Sequence, residues 1–360
     1  MLAFARKHRL LIVGAVLALV SLVCLWRFHA VTSLLSDQKA AQRWQGDSGK
    51  RFAQVSCFLP SGEKLTRDQI FAFRGDMAKK LQAASLDPVS EHGLLHDAWC
   101  GFGSVTVSNG RRSSVCRVVA VGGGFFDFHP LRLINGNYLR EDDVMEDRVL
   151  LDRETAWLLF GASELSGMSF SVNGVPFVVA GVYAHEDDAF SRMAAQNEMC
   201  IYMRYDAYEK LFPETAAIGC YELIMAEPVR GFAAGAVREK FPVKSAEFAE
   251  NTYRFEVGRL LRQVFRPGAR SMRLGAAVYP VWENAARAAE VRAGYWLATA
   301  VFTGSIPLAL LLLAITRLIV RGKQKLEKEY LPEARERAEE AVRVRGRRRW
   351  EKKHPEDFKY

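Results

Sequence analysis

The chain has 360 residues, of which 49% are hydrophobic and 25% charged, with a formal net charge of +9. That is an ordinary balance for one large domain or two small ones. The charge is unevenly spread: residues 1–9 contribute +3, residues 321–360 contribute +5 from 14 Lys or Arg against 9 acids, and the region between is nearly neutral. A basic excess confined to the two ends argues against nucleic acid as a partner and for anionic lipid headgroups.

Each basic end adjoins an apolar run. Leu10–Trp26 carries no charge and Gly294–Val320 carries only Arg317, so both are long enough to span a bilayer. Arg6, Lys7 and Arg9 resemble the basic start of a secretory signal. The apolar run is longer than a usual signal core, however, and RFHAVTS offers no A-x-A cleavage site, so an uncleaved span over residues 10–28 is expected. The second span, residues 294–320, contains Pro307, tolerated when neighbours satisfy the freed carbonyl, and begins with Tyr295 and Trp296 at the level of an aromatic belt. The positive-inside rule then predicts cytosolic segments at 1–9 and 321–360 and an extracytoplasmic domain over 29–293, in a cell (plasma or inner) membrane.

After the first span, VTSLLSDQKAAQRWQ continues as a helix until GDSGK breaks it. RFAQVSCFL alternates like a strand, and LTRDQIFAFRGDMAKKLQAA has helical spacing with Thr66 and Gln69 as a capping box. Asn109-Gly110 predicts a hairpin between strands near 104–107 and 114–121. DRVLLD reads as a buried strand, and ETAWLLFG as a helix stopped by Gly161. Asn173-Gly174 predicts a type I′ turn inside GMSFSVNGVPFVVAGVYA. AEFAENTYRFEVGRLLRQVF has a helical stripe, interrupted at Pro267-Gly268. YPVWENAARAAEVRAGYW then runs without a breaker into the second span, as a helical stalk. Strands and helices mix without regular alternation, which is an α+β class.

Gly122, Gly123 and Gly124 raise the question of a phosphate loop. A P-loop needs GxxxxGK[ST] and a dinucleotide loop needs GxGxxG opening a helix. Here Phe125, Phe126, Asp127, Phe128, His129 and Pro130 follow, with no Lys and with a proline that bars a regular helix. The expectation is a turn, with Phe125, Phe126 and Phe128 anchoring it in a core. Other polar groups are weak candidates. His185, Glu186, Asp187 and Asp188 are adjacent on one loop and cannot all face one cation. His92 and His96 have helical spacing but lie beside Gly93, and Glu141, Asp142 and Asp143 face water or cap a helix. No nucleophile-base grouping appears. No catalytic, cofactor-binding or metal residue is therefore expected, and the chain is not expected to be an enzyme. Cys57, Cys100, Cys116, Cys200 and Cys220 are an odd set without CxxC spacing, compatible with two disulfides and a free thiol or with none.

The order of these segments resembles the extracytoplasmic core domain of MacB-type, FtsX-like ABC-transporter permeases over about Phe52–Tyr205. The positions that carry the resemblance are Phe125-Phe126, Leu133, Gly136 and Tyr138, then Ala156, Leu159, Phe160 and Gly161, and Asn173-Gly174 with Val179, Ala180, Gly181 and Val182. These mark the fold, and none is catalytic. The resemblance implies a MacB-like core between two transmembrane helices, with a charged helical cytosolic tail, acting as an accessory or half-type permease subunit that binds partners or transmits motion. It further implies no cofactor and a separate ATPase subunit or a fuller permease subunit as partner; a homo- or hetero-oligomer is expected because two copies would bring four spans together. Such permeases normally carry two further spans, and after Val320 nothing apolar is long enough for one. The alternative is an extracytoplasmic scaffold or sensor working without a transporter.

Overall fold

The computed structural model of the chain describes residues 9–86, 93–195, 198–265 and 279–353. The chain divides into two compact units: Leu25–Ala298, and the segments on either side of it. In chain order the elements are helix α1 (Arg9–Leu34), a 3-10 turn (Ser36–Lys39), α2 (Ala40–Gln45), β1 (Phe52–Phe58), α3 (Arg67–Ala83), β2 (Leu95–Ser108), β3 (Ser113–Gly123) and the single turn α4 (Phe125–Phe128). Next come β4 (Arg132–Gly136), β5 (Arg148–Asp152), α5 (Arg153–Phe160), β6 (Ser169–Val172), β7 (Val175–Ala184), α6 (Ala189–Ala195), β8 (Cys200–Arg204) and α7 (Tyr205–Leu211). The chain finishes with β9 (Ile218–Ala226), α8 (Phe232–Lys240), β10 (Glu247–Glu250), α9 (Val257–Val264), α10 (Val281–Lys325), a π-helical stretch (Leu326–Tyr330) and α11 (Leu331–Lys353).

The larger unit is α+β. Strands β10, β1, β9 and β2 lie side by side, all antiparallel to their neighbours. With α3 after β1 and α8 after β9 they form a split β-α-β-β-α-β lobe. Residues 109–217 are inserted between its second and third strands. After a register shift at Cys100/Gly101 the pairing of β2 with β9 finishes at Gly101–Ile218, and the rest of β2 enters a second arrangement. There β2, β3, β8, β5, β7 and β6 pair in turn and β6 returns to β2, so the strands close into a ring. Two of these pairings, β3 with β8 and β5 with β7, are parallel.

Local sequence explains most of the elements. The Thr66 hydroxyl accepts from Gln69 N and Gln69 caps Thr66 N in return, so α3 begins with the expected capping box. Its buried residues Ile70, Phe73, Met77 and Leu81 recur every three to four positions and face the sheet, where Phe73 packs edge-on against Tyr221 and Phe241. Each such side chain contributes roughly 1.5–3 kcal/mol. Gly161 adopts φ +72° to end α5, and Asn173 (φ +49°) with Gly174 (φ +82°) makes the tight turn between β6 and β7.

Two expectations need correction. The helix leaving the first apolar run does not continue through Gln45, because Leu35 is extended (φ −89°, ψ 101°). Ser36 and Asp37 follow it, residues whose side chains compete with the helical backbone. The stretch 246–265 is not one helix: Phe248 pairs with Cys57 in the sheet, and only Val257–Val264 is helical. Sheet pairing overrides the apolar spacing there. Pro267-Gly268, His92 and the first eight residues lie outside the described residues.

Among the described residues, α1 and α10 are the helices long and apolar enough to cross a membrane. In the smaller unit the Ser21 hydroxyl donates to the carbonyl of Ala300 (2.9 Å), and a Cβ on Gly304 would lie 2.8 Å from that hydroxyl. Small residues thus let the two apolar segments approach closely. The tail helix α11 is exposed on all sides, with Glu333 and Arg337 paired at 3.7 Å.

Candidate functional site: a buried ion network at the root of the second apolar helix

The first turns of α10 put charge where a helix packed on a domain ordinarily puts alanine. Ala285, Ala286, Ala289 and Ala293 are fully buried and pack with Leu260 and Val31. Interleaved with them, Glu283, Arg287 and Glu290 are also withdrawn from water. Spacings of four and three place these charges on one helix face.

The counter-charge is Arg254, in the turn after β10 and fully buried. Its Nη2 donates to Glu283 Oε2 at 2.6 Å and to Asn251 Oδ1 at 2.8 Å, and Nη1 lies 3.6 Å from Glu290 Oε2. Glu283 also accepts from Arg287 Nε (2.8 Å), and Glu290 from Gln263 Nε2 (2.5 Å). The Arg287 guanidinium lies 3.9 Å over the Tyr279 ring, whose hydroxyl bonds Glu247. Burial works against charge on Arg254, but Glu283 and Glu290 outweigh it and raise its pKa.

From Asn251 the network crosses the sheet. Asn251 Nδ2 donates to Ser56 Oγ (2.7 Å), Ser56 to Glu222, and Glu222 pairs with His129. Ser56 and Glu222 are register partners on β1 and β9, so they share a face. Nδ1 of His129 lies 3.5 Å from Asp37, just beyond the end of α1. Burial pulls His129 toward neutrality, yet Glu222 and Asp37 prevail and its pKa is pushed up to about 10. Hydrogen bonds therefore run from His129 to Glu283, with longer ion pairs to Asp37 and Glu290 at the two ends.

The glycine turn positions His129. A Cβ on Gly122 would strike the Trp99 ring, one on Gly124 would strike His96, and Gly123 has φ +63° with the Asp97 carbonyl 2.5 Å from where its Cβ would stand. The chain thus crosses β2 at backbone contact, turns through Phe125–Phe128, and delivers His129 to Glu222. Phe125 and Phe128 are buried, and Phe126 stacks on Tyr138 (4.8 Å). Phe102, Phe125 and His129 surround Trp282 in the first turn of α10, with His129 4.3 Å from its ring. Gly122, Gly123, Gly124, Phe125, Phe126 and Phe128 are therefore one cluster. Gly136 and Gly181 form a second as register partners on β4 and β7, where the backbones touch. Phe160 and Gly161 end α5, and Asn173 with Gly174 turns β6 into β7, separate from both clusters.

A cavity of about 350 Å³ opens between Trp282 and the sheet, lined by Tyr183, Tyr202, His129, His185 and Glu154, and a smaller one of about 170 Å³ shares several of these walls. Within 185–188 the side chains of His185, Asp187 and Asp188 go different ways. His185 turns to Asp152 (3.2 Å) and Glu154 (3.6 Å), Asp187 lies 3.5 Å from Arg132, and Asp188 caps α6 through Phe190 N and Ser191 N. His96 stacks on Trp44 (4.0 Å) and bonds Asp127 (2.8 Å). Asp142 and Asp143 pair with Arg140 at the surface. All six cysteines carry free thiols, Cys100 and Cys220 facing each other across β2 and β9.

No protein-family model matches the chain, and no curated protein matches it. Among solved structures it is similar to the periplasmic region of MacB from Actinobacillus actinomycetemcomitans, at 16% identity and a TM-score of 0.42, over 60% of this chain and 94% of that one. It is also similar to the extracellular domain of the noncanonic ABC-type transporter YknZ from Gram-positive bacteria (13% identity, TM-score 0.38, 55% of this chain and 100% of that one). A third is a domain of a permease protein from Porphyromonas gingivalis (11% identity, TM-score 0.33, 56% of this chain and 89% of that one).

Proposed function

We propose that the chain is a membrane-anchored subunit, itself not an enzyme, that transmits conformational change through α10 as an accessory or half-type permease subunit of an FtsX/MacB-like ABC transporter system. One observation carries this reading. Helix α10 runs from Val281 to Lys325 with Pro307 inside it, its first turns clamped to the α+β domain by Arg254 and its later turns apolar enough to cross a membrane. A helix passes on a displacement of its root because its backbone bonds are local and stiff, and a buried ion clamp resists slipping because separating its charges is costly. The α+β domain lies outside the cytosol in this reading, as the basic ends predict.

ATP hydrolysis belongs to a separate ATP-binding subunit. The Arg- and Glu-rich helix α11 is its docking element, and further copies or a fuller permease subunit are its partners in the membrane. The test is a mild-detergent pull-down of the full-length protein from its own membranes, with mass spectrometry and an ATPase assay on the eluate. Recovery of an ATP-binding subunit, lost on deletion of 331–360, supports the proposal. Recovery of cell-envelope proteins alone would replace it with the scaffold or sensor reading, which the cavity beside Trp282 favours.

A further inference from the structure

Asp152 is the last residue of β5 and the N-cap of α5, and its side chain has no exposure to solvent. One carboxylate oxygen accepts from Thr155 N (2.7 Å), the other from Cys200 N (2.8 Å). Two backbone bonds fix the group but leave its charge, and a buried carboxylate needs a cation. Among the described residues no Lys or Arg pairs with Asp152; its ion partner is His185.

His185 arrives from a distant part of the sequence. Strand β7 runs parallel to β5 with Tyr183 opposite Asp152, so the residue just past the strand end reaches the N-terminus of α5. Its Nε2 lies 3.2 Å from Asp152 Oδ2 and 3.6 Å from Glu154 Oε2, and the three donor atoms all fall within 4.8 Å of one another. Ligands about 2.0–2.2 Å from a tetrahedral ion stand roughly 3.3–3.6 Å apart, so an ion enters this triangle with only small side-chain shifts. His185 and Glu154 both line the cavity of about 350 Å³, which gives an ion a route in and leaves room for water to complete its shell.

We propose that Asp152, Glu154 and His185 form a binding site for a divalent transition-metal ion, with zinc the best match to one imidazole and two carboxylates. The nitrogen ligand disfavours Mg²⁺ and Ca²⁺, which take all-oxygen shells. The ion bridges β5, α5 and β7 on the wall that faces Trp282. This goes beyond the transporter reading and does not depend on it.

The experiment uses the full-length protein in detergent, stripped with EDTA and dialysed, then titrated with zinc alone by calorimetry and by bound-metal analysis. Wild type, His185→Ala and Glu154→Gln are compared, with a thermal melt of each to confirm folding. The expected result is one zinc ion in wild type that is absent from His185→Ala, with affinity reduced in Glu154→Gln by at least the roughly tenfold that loss of an outer partner costs. Zinc should raise the wild-type melting temperature and leave that of His185→Ala unchanged. Equal zinc stoichiometry and affinity in wild type and a folded His185→Ala would overturn the proposal, as would no zinc bound by wild type at micromolar concentrations.

Discussion

Arg254 Nη2 and Glu283 Oε2 meet at 2.6 Å with neither side chain exposed above 1%, one residue following the last strand of the sheet and the other opening the long helix α10. A pair this deep specifies position more than it adds stability, because its attraction repays desolvation that apolar residues would never incur. Losing one partner and losing both should therefore differ in kind. Arg254→Met leaves Glu283 and Glu290 buried without the cation they share and is expected to destabilise the domain by about 3–5 kcal/mol. The double variant Arg254→Met/Glu283→Leu should recover part of that loss. Denaturant unfolding of both variants in detergent checks this, and additive losses would mean that the two side chains do not act as a pair.

His129 gives the other end of the network a pH dependence. Burial lowers its pKa, Glu222 and Asp37 raise it more, and the net value is about 10 against roughly 6.5 for an unfolded histidine. A group raised on folding contributes fully below the unfolded value and loses that contribution as pH climbs to the folded one. The groups facing it are the carboxylates of Glu222 and Asp37 and the rings of Phe125 and Trp282. Stability should fall between about pH 6.5 and pH 10 by up to a few kcal/mol. His129→Gln should be less stable at pH 6.5 and flatter across this range. Parallel melting profiles for the two proteins would show that His129 is not charged in the fold.

The cysteines should behave as inert core residues. Burial, with Asp152 adding to it, pushes the Cys200 thiol up to about 12, and burial lifts Cys116 to about 11 although Thr155 pulls the other way. Alkylation proceeds through the thiolate, and an ordinary cysteine titrates near 8.5. At pH 8 both sites should alkylate at least about 100-fold more slowly in the native protein than in guanidinium. Pulsed labelling followed by peptide mass spectrometry measures it. Labelling of either at the unfolded rate would mean that the strands around it open readily.

Features set by neighbours in sequence were legible: the capping box at Thr66, the glycine stop at Gly161, the turn at Asn173-Gly174 and the helix running on from Pro280. Local rules missed the places where distant segments compete for one stretch. Phe248 joins a strand because β1 offers an edge, and that edge comes from residues almost 200 positions earlier. The ion network was hidden for the same reason. Glu283, Arg287 and Glu290 look like a solvated helix face until Arg254 and Gln263 cover them. The one local hint was the alanine series around them, since a face of alanines asks for close packing. Asp152, Glu154 and His185 were equally invisible, because only the parallel pairing of β5 with β7 brings them together.

Gly123, with Gly110 as its reference, allows a graded test. Gly110 and Gly123 both have positive φ, +84° and +63°, but nothing lies within 4 Å of a Cβ at Gly110, whereas at Gly123 the Asp97 carbonyl would be 2.5 Å away and the Trp99 ring 2.9 Å away. Gly110→Ala should lose only the backbone preference, about 1–2 kcal/mol. Gly123→Ala should lose that and also force β3 away from β2, giving a cost of roughly 3 kcal/mol or more. The displaced turn carries His129, so Gly123→Ala should also flatten the melting profile between about pH 6.5 and pH 10, while Gly110→Ala keeps the wild-type profile. Chemical denaturation of both variants at two pH values reads the two effects separately. Equal losses for Gly110→Ala and Gly123→Ala, with both pH profiles intact, would show that the glycine turn does not position His129, which would then owe its place to Glu222 alone.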